Sequence, residues 1–148
     1  MSPRRAASAF ALVWSALGST HGHAQDVPVA YLCGNLVGSY LAAPNWRVEG
    51  DGAKDQLVIL TYKGDKSLST VSWVRLGEMP YYESPGLAVA MKSGFVIVTF
   101  SEDFTETYVF NAGTTELLFS SVRSGSAVLP NAIKTLRGTC TPAGTLAR

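Results

Sequence analysis

Two short acidic clusters are the parts of this sequence that come closest to a pattern able to do chemistry. The first supplies oxygen ligands of the kind that calcium takes, but its spacing matches no complete calcium-binding loop; its members are Glu49, Asp51 and Asp55. The second would suit the hydrolysis of a glycosidic bond, but that reaction needs two carboxyl groups on opposite sides of a cleft, and these are neighbours: Glu102, Asp103 and Glu106. We therefore expect both clusters to be solvated turns, and we predict no metal site.

The positions of the histidines limit the reactions that the chain could catalyse. His21 and His23 both lie in residues 1–24, which have the parts of a secretory signal peptide and would be removed on export. Without them no imidazole is left for a Ser–His–Asp or Cys–His centre, or for the usual zinc, copper and haem sites. We predict that the protein is not an enzyme and has no cofactor.

The leader also sets the expected compartment. A basic pair precedes an apolar run from Ala6 to Gly18, which is shorter than the roughly 20 residues that a membrane helix needs. Gly22 and Ala24 suit cleavage before Gln25. We predict a signal peptide over residues 1–24 and one mature domain over residues 25–148, periplasmic or secreted by a bacterium, with no membrane insertion.

Charge gives no indication of a nucleic-acid partner. The chain has 12 Lys and Arg against 11 Asp and Glu, and two of the arginines belong to the leader. The mature domain would therefore be nearly neutral, without the basic patch that phosphate backbones attract.

The two cysteines predict a structural crosslink. Cys33 and Cys140 lie near opposite ends of the mature chain, and an even pair in an exported protein is read as a disulfide. The alternative, a reactive redox pair, lacks the C-x-x-C spacing. We predict a disulfide that staples the domain end to end.

Short β-rich runs separated by turn residues predict an all-β domain. The expected strands are Trp46–Glu49, Gln56–Tyr62, Leu68–Leu76, Leu87–Lys92, Phe95–Phe100, Thr105–Asn111 and Glu116–Val122, with Ala30–Cys33 and Leu36–Leu41 as weaker candidates. Gly50–Gly52 is expected to be a turn, and residues 128–140 are expected to hold a turn of helix followed by a last strand.

The order of these runs indicates how the sheet is built. Connections of two to four residues between Leu87 and Val122 require antiparallel neighbours, so the fold class is an antiparallel meander that forms a small barrel or a sandwich. Glu106 interrupts the aromatic face of its strand. We expect it at the rim of the core, with a polar interior as the alternative.

Two segments are candidate binding loops. Tyr81 and Tyr82 lie between prolines, where stiffness lowers the entropy lost on binding, although one ring could simply cover an open end of the sheet. Arg123, Ser124 and Ser126 lie in a Ser/Gly-rich stretch that could enter another protein's cleft, or could be an ordinary turn.

Parts of the chain resemble the periplasmic and membrane-bound inhibitors of C-type lysozyme. The similar pieces are Val29-Ala30-Tyr31-Leu32-Cys33 and the segment from Lys92-Ser93-Gly94 through Val122-Arg123-Ser124-Gly125-Ser126-Ala127. The resemblance implies a small β-barrel that presents a loop serine, Ser124 or Ser126, to the lysozyme cleft. The chain departs from the family after this loop, where Ala127-Val128-Leu129 replaces the usual tyrosine and the Trp-rich segment is absent.

We therefore expect a non-catalytic domain that binds a protein partner as an inhibitor or accessory subunit. The alternative is a barrel that carries a small apolar ligand inside.

Overall fold

The computed structural model describes residues 29–125 and 128–145, and within these residues the regular structure is all β-strand, with no helix. The strands are β1 (Val29–Ala42), β2 (Glu49–Ala53), β3 (Gln56–Tyr62), β4 (Leu68–Arg75), β5 (Pro80–Met91), β6 (Gly94–Phe100), β7 (Phe104–Asn111), β8 (Glu116–Arg123) and β9 (Ala132–Thr145). The predicted all-β fold class is confirmed. The predicted signal peptide lies outside the described residues.

The sheet closes into a barrel, which decides between the two predicted architectures. Strands β3 to β9 pair antiparallel in chain order, and β1 pairs with both β3 and β9, so eight strands form a closed ring. Strand β2 is an extra strand on the same edge of β1 as β3, since both face β1 on the side away from β9. Closure gives each of the eight strands two neighbours, although the first half of β5 is paired on one side only.

Cys33 and Cys140 are direct register partners on β1 and β9, and they form the predicted disulfide. The crosslink therefore joins the strands whose pairing closes the barrel. The two cysteines are 107 positions apart in sequence, so the disulfide ties the first strand of the described domain to the last.

Alternation along each strand directs one set of side chains into the barrel. On β7 and β6, for example, Tyr108, Phe110 and Ile97 are almost fully buried. At the end where β3 finishes and β6 begins, aromatic rings fill the interior. Tyr62 stacks on Phe95 with centroids 4.5 Å apart, and the ring of Tyr31 lies 4.1 Å from that of Phe110. We call this the filled end, and the opposite end, where β4 finishes and β5 begins, the open end.

Three local expectations from the sequence are wrong. Trp46 is not in a strand but in the turn after β1, where its amide donates to the carbonyl of Ala42. Gly50–Gly52 is not a turn but the middle of β2, because it pairs with Val37–Ser39 of β1. Residues 132–145 form strand β9 throughout, with no turn of helix among the described residues of this segment.

The tyrosine pair also lies in a strand and not in a loop. Residues Pro80–Met91 form the single long strand β5. Its first half pairs with β4 alone, and pairing with β6 begins only at Gly86. Proline is tolerated in that half because a strand without a second neighbour does not need every backbone N–H.

A candidate ligand-binding site at the open end of the barrel

A carboxylate lies inside the barrel toward the open end. Glu106 is only 9% exposed, and its Oε2 accepts hydrogen bonds from three hydroxyl groups. Tyr108 donates at 2.7 Å, Thr99 at 3.2 Å and Tyr82 at 3.3 Å. Of the two predicted places for Glu106, the rim is wrong and the polar interior is right, because the even-numbered residues of β7 all face inward.

Tyr108 connects this carboxylate to the wall of the barrel. Its hydroxyl oxygen accepts a 2.8 Å hydrogen bond from the indole Nε1–H of Trp73, so Trp73, Tyr108 and Glu106 form one chain of hydrogen bonds. Burial, and then the neighbouring charge of Glu106, raise the pKa of Tyr108 far above that of a free tyrosine. Tyr108 therefore remains a proton donor toward Glu106 at any ordinary pH.

Aromatic rings form the walls above Glu106. The ring of Trp73 meets that of Phe119 edge-on with centroids 5.4 Å apart, and Tyr82 lies 6.3 Å from Phe104 across the opening. Burial, as the largest cause, raises the pKa of Tyr82, so its hydroxyl also stays protonated. These walls enclose a cavity of about 390 Å³ that opens to solvent and is lined by Gln56, Trp73, Tyr81, Tyr82, Phe104, Glu106, Phe119, Ser121 and Lys134.

A charged wall lies on the side of β9 and β2. The Nζ of Lys134 is 2.8 Å from Oδ2 of Asp51, and both side chains are partly buried. Arg123 donates from Nη2 to the Tyr40 hydroxyl at 3.2 Å and from Nε to the carbonyl of Pro130 at 3.0 Å. Two smaller cavities in this wall, about 200 and 350 Å³, adjoin the main one, and all three have Lys134 in their lining.

Several of the candidate binding residues predicted from the sequence lie at the open end. Tyr82 and Arg123 line the cavities. Tyr81 also lines the main cavity but is half-exposed, with the guanidinium of Arg75 5.5 Å from its ring centroid. Ser124 is exposed just after β8, and its amide donates to the carbonyl of Asp103. Ser126 lies outside the described residues.

The members of each acidic cluster lie in different surroundings in the structure. The expected solvated turn is wrong for Glu49 and Asp51, which lie in β2, where Asp51 is paired with Lys134. Asp55 does lie in the turn between β2 and β3. Glu102 is in an exposed turn, on which the expectation was correct, but Glu106 points inward. In the part of the chain that the structure describes, no group of three or more His, Cys, Asp or Glu side chains is placed to hold a metal ion. That part also contains no helix long and apolar enough to cross a membrane.

Sequence reasoning missed the walls of the cavity. Trp73, Phe119 and Lys134 come from β4, β8 and β9, and only the register around the closed ring places them together. The inward positions of each strand were readable from alternation. The pairing of distant strands across the ring was not, because no local feature encodes it.

Exposed apolar side chains surround the open end. Each connection between strands at this end contains an exposed large apolar side chain or adjoins one. Met79 and Val128 are the most exposed, at 83% and 89%. We call this set the apolar rim: Trp46, Val48, Leu76, Met79, Phe100, Val128 and Leu129. The connections at the filled end, residues 63–67, 92–93 and 112–115, consist of small or polar residues, although Leu68 and Met91 in the adjoining strands are exposed.

Comparisons with known proteins give no relative: no protein-family model, no curated protein and no solved structure matches this chain.

Proposed function

We propose that the protein is a non-catalytic binding protein, and that the apolar rim around the open end of the barrel is its docking surface for a protein partner. The observation that carries the proposal is that, among the described residues, the connections of the open end hold six exposed large apolar side chains and those of the filled end hold none, while the other exposed ones lie along the strands. Exposed apolar side chains grouped on one surface cost solubility and usually mark an interaction site. Trp, Met and Phe, all present in the rim, are enriched in protein interfaces.

Charge favours a protein over a lipid surface or a nucleic acid as the partner. The connections that hold the rim carry one basic residue, Arg47, against three acidic ones, Glu78, Glu102 and Asp103. Anionic lipid headgroups and phosphate backbones attract clusters of lysine and arginine, which these connections lack among their described residues. An apolar patch among acidic side chains suits a partner with apolar and basic residues.

The partner is expected outside the cytoplasm. The leader predicted over residues 1–24 would export the chain, and the Cys33–Cys140 disulfide is compatible with an oxidising compartment. We place the protein in the bacterial periplasm or among secreted proteins. A C-type lysozyme is the first partner to test, on the resemblance described above, because Ser124 lies in the same connection as the rim residues Val128 and Leu129.

The test uses matched surface variants of the full protein. Met79→Ser with Val128→Ser removes two of the most exposed rim side chains, and Leu68→Ser removes a side chain of comparable exposure at the filled end. Neither change touches the core, so both proteins should fold. A partner that co-elutes with the wild type should bind the rim variant at least about tenfold more weakly and bind the Leu68→Ser control normally.

Two outcomes would contradict the proposal. One is a partner that binds the rim variant as tightly as the wild type, which would move the interface elsewhere. The other is the absence of any stoichiometric partner after cross-linking in the native compartment. Lysozyme inhibition is measured in parallel, with Ser124→Ala as the variant that should weaken it if the partner is a lysozyme.

A small-molecule carrier is the second candidate, and the cavity of about 390 Å³ favours it. The wholly apolar ligand expected from the sequence suits this cavity poorly. Such a ligand would cover the buried carboxylate of Glu106 without supplying a positive charge. Native mass spectrometry of gently purified protein distinguishes the two. A bound small molecule supports the carrier, and a clean mass of the chain alone speaks against it.

A further inference from the structure

We infer that the main cavity at the open end is a binding site for an organic cation, an ammonium or guanidinium group on an aliphatic or aromatic stem, with Glu106 as its counter-ion. The cavity lies inside the apolar rim, so the assignment rests on the proposed function of the open end and adds the chemical class of the group that enters it. Two sources could supply this chemistry: a Lys or Arg side chain of a docked partner, or a free amine.

The carboxylate of Glu106 has hydrogen-bond donors but no positively charged partner among the described residues. Its described partners are the hydroxyl groups of Tyr108, Thr99 and Tyr82, which donate hydrogen bonds but bring no positive charge. Among the described residues, no lysine or arginine forms an ion pair with it. Buried charges in proteins are normally paired, because the loss of water is costly. A cation entering from the open end would supply the missing charge.

The neighbouring basic side chains do not take this role, because each has its own acceptors. The charge of Lys134 is neutralised by Asp51 at 2.8 Å. Arg123 lines the adjoining cavity of about 200 Å³ together with Glu106, but its described hydrogen bonds go to the Tyr40 hydroxyl and the Pro130 carbonyl, and no ion pair joins it to Glu106 among the described residues. These bonds hold both basic groups in the charged wall.

The walls suit a cation on a stem. Trp73, Tyr82 and Phe119 present aromatic rings around the space above Glu106, and the face of an aromatic ring attracts a cation within about 6 Å. The same chemistry already occurs at the entrance, where Arg75 lies 5.5 Å above the centroid of Tyr81. A volume of about 390 Å³ holds one such side chain or a small arylamine and is too small for a folded segment.

The first experiment compares three probes of one shape and different charge: benzylammonium, benzyl alcohol and benzoate. Each is titrated into the 15N-labelled protein, and binding is followed at the indole N–H of Trp73, which lines the cavity. We expect benzylammonium to bind about tenfold more tightly than benzyl alcohol, and benzoate to bind least. Equal binding of the cation and the alcohol would overturn the inference. So would preferred binding of benzoate, which would point to Arg123 and Lys134 instead.

Matched charge variants test the role of Glu106. Glu106→Gln removes the charge and keeps an acceptor oxygen, and it should lower the affinity for benzylammonium to that for benzyl alcohol. Glu83→Gln makes the same change on an exposed position of β5, where the carboxylate accepts from Ser72, and should leave binding unchanged. Unchanged cation binding by Glu106→Gln would contradict the assignment. If this variant does not fold, the three-probe series on the wild type still decides.

A last comparison separates the two sources and the two proposals. A short peptide with one lysine between leucines, and its norleucine analogue, are titrated against the wild type and the rim variant Met79→Ser with Val128→Ser. Loss of peptide binding in the rim variant, with benzylammonium unaffected, identifies a partner side chain as the source. Tight binding of benzylammonium with no preference for the lysine peptide identifies a free amine. A protein partner that needs the rim, with no probe binding in the cavity, would leave the proposed function standing and reject the cation site.

Discussion

The hydroxyl group of Tyr108 donates a 2.7 Å hydrogen bond to Oε2 of Glu106, two residues earlier on the same face of β7. The same hydroxyl oxygen accepts from the indole of Trp73 on β4, on the far side of the barrel interior. A chain of hydrogen bonds thus crosses a core in which most of the buried side chains are apolar. Hydrogen bonds of this kind are strong in a low-dielectric interior, and leaving a member unpaired is costly.

Removing the acceptor should therefore destabilise the fold. Glu106→Leu fills the space but leaves the hydroxyls of Tyr108, Thr99 and Tyr82 without their partner. We expect a loss of about 1–3 kcal/mol in the free energy of unfolding, measured by urea denaturation followed by circular dichroism. Glu106→Gln, which keeps an oxygen, should lose less. An unchanged urea midpoint for Glu106→Leu would mean that the hydroxyls find other partners.

High pH should lower the free energy of unfolding, because Tyr108 is buried beside Glu106. The pKa of Tyr108 in the folded state is raised by burial and by Glu106, while in the unfolded chain it is near 10. Above pH 10, Tyr108 therefore keeps its hydroxyl proton in the folded state but loses it in the unfolded chain. The contribution of Tyr108 to stability is fully present below pH 10 and is lost as the pH rises further. The expected slope is up to about 1.4 kcal/mol per pH unit for this group.

Tyr108→Phe removes that group and should make the alkaline loss shallower, although the variant is less stable at neutral pH. The measurement is the free energy of unfolding at several pH values between neutral and strongly alkaline, in wild type and variant. Parallel slopes in the two proteins would assign the alkaline loss to other tyrosines, Tyr81 and Tyr82 among them.

Much of the fold could be read from the sequence because strands carry their own period. The alternation of Phe104, Tyr108 and Phe110 with smaller outward residues, and turns such as Lys92–Gly94, are local signals, and the structure follows them. Gly50–Gly52 shows the limit. Glycine-rich stretches favour turns locally, but pairing with β1 supplies backbone hydrogen bonds that outweigh this preference.

The candidate site was less readable for a related reason. Tyr82 and Arg123 could be proposed from their residue types, and both reach the open end. The other walls of the cavity depend on the closure of the ring, which brings Trp73 of β4 against Phe119 of β8. The prolines beside Tyr82 suggested a loop, but a strand paired on one side only accepts them.

Reduction of the disulfide should lower stability substantially. Cys33 and Cys140 close a loop that spans nearly the whole described domain, with a sequence separation of 107. The chain-entropy model gives about 4–5 kcal/mol for a loop of this length. We expect the double variant Cys33→Ala with Cys140→Ala to show a much lower urea midpoint than the oxidised wild type. A midpoint equal to that of the oxidised protein would mean that β1 and β9 pair as firmly without the crosslink.

A pair of glycines tests how closely β1 and β9 approach. A Cβ at Gly38 would meet the backbone oxygen of Thr135 on β9, which cannot move without opening the ladder that closes the barrel. A Cβ at Gly50, on the neighbouring strand β2, would meet nothing nearby. We expect Gly38→Ala to cost about 1–3 kcal/mol in urea unfolding, as overpacking does, and Gly50→Ala to change stability by less than about 0.5 kcal/mol. Both changes lower the entropy of the unfolded chain alike, so the difference between them reports the native state. Equal effects of the two substitutions would show that the strands can separate there at little cost.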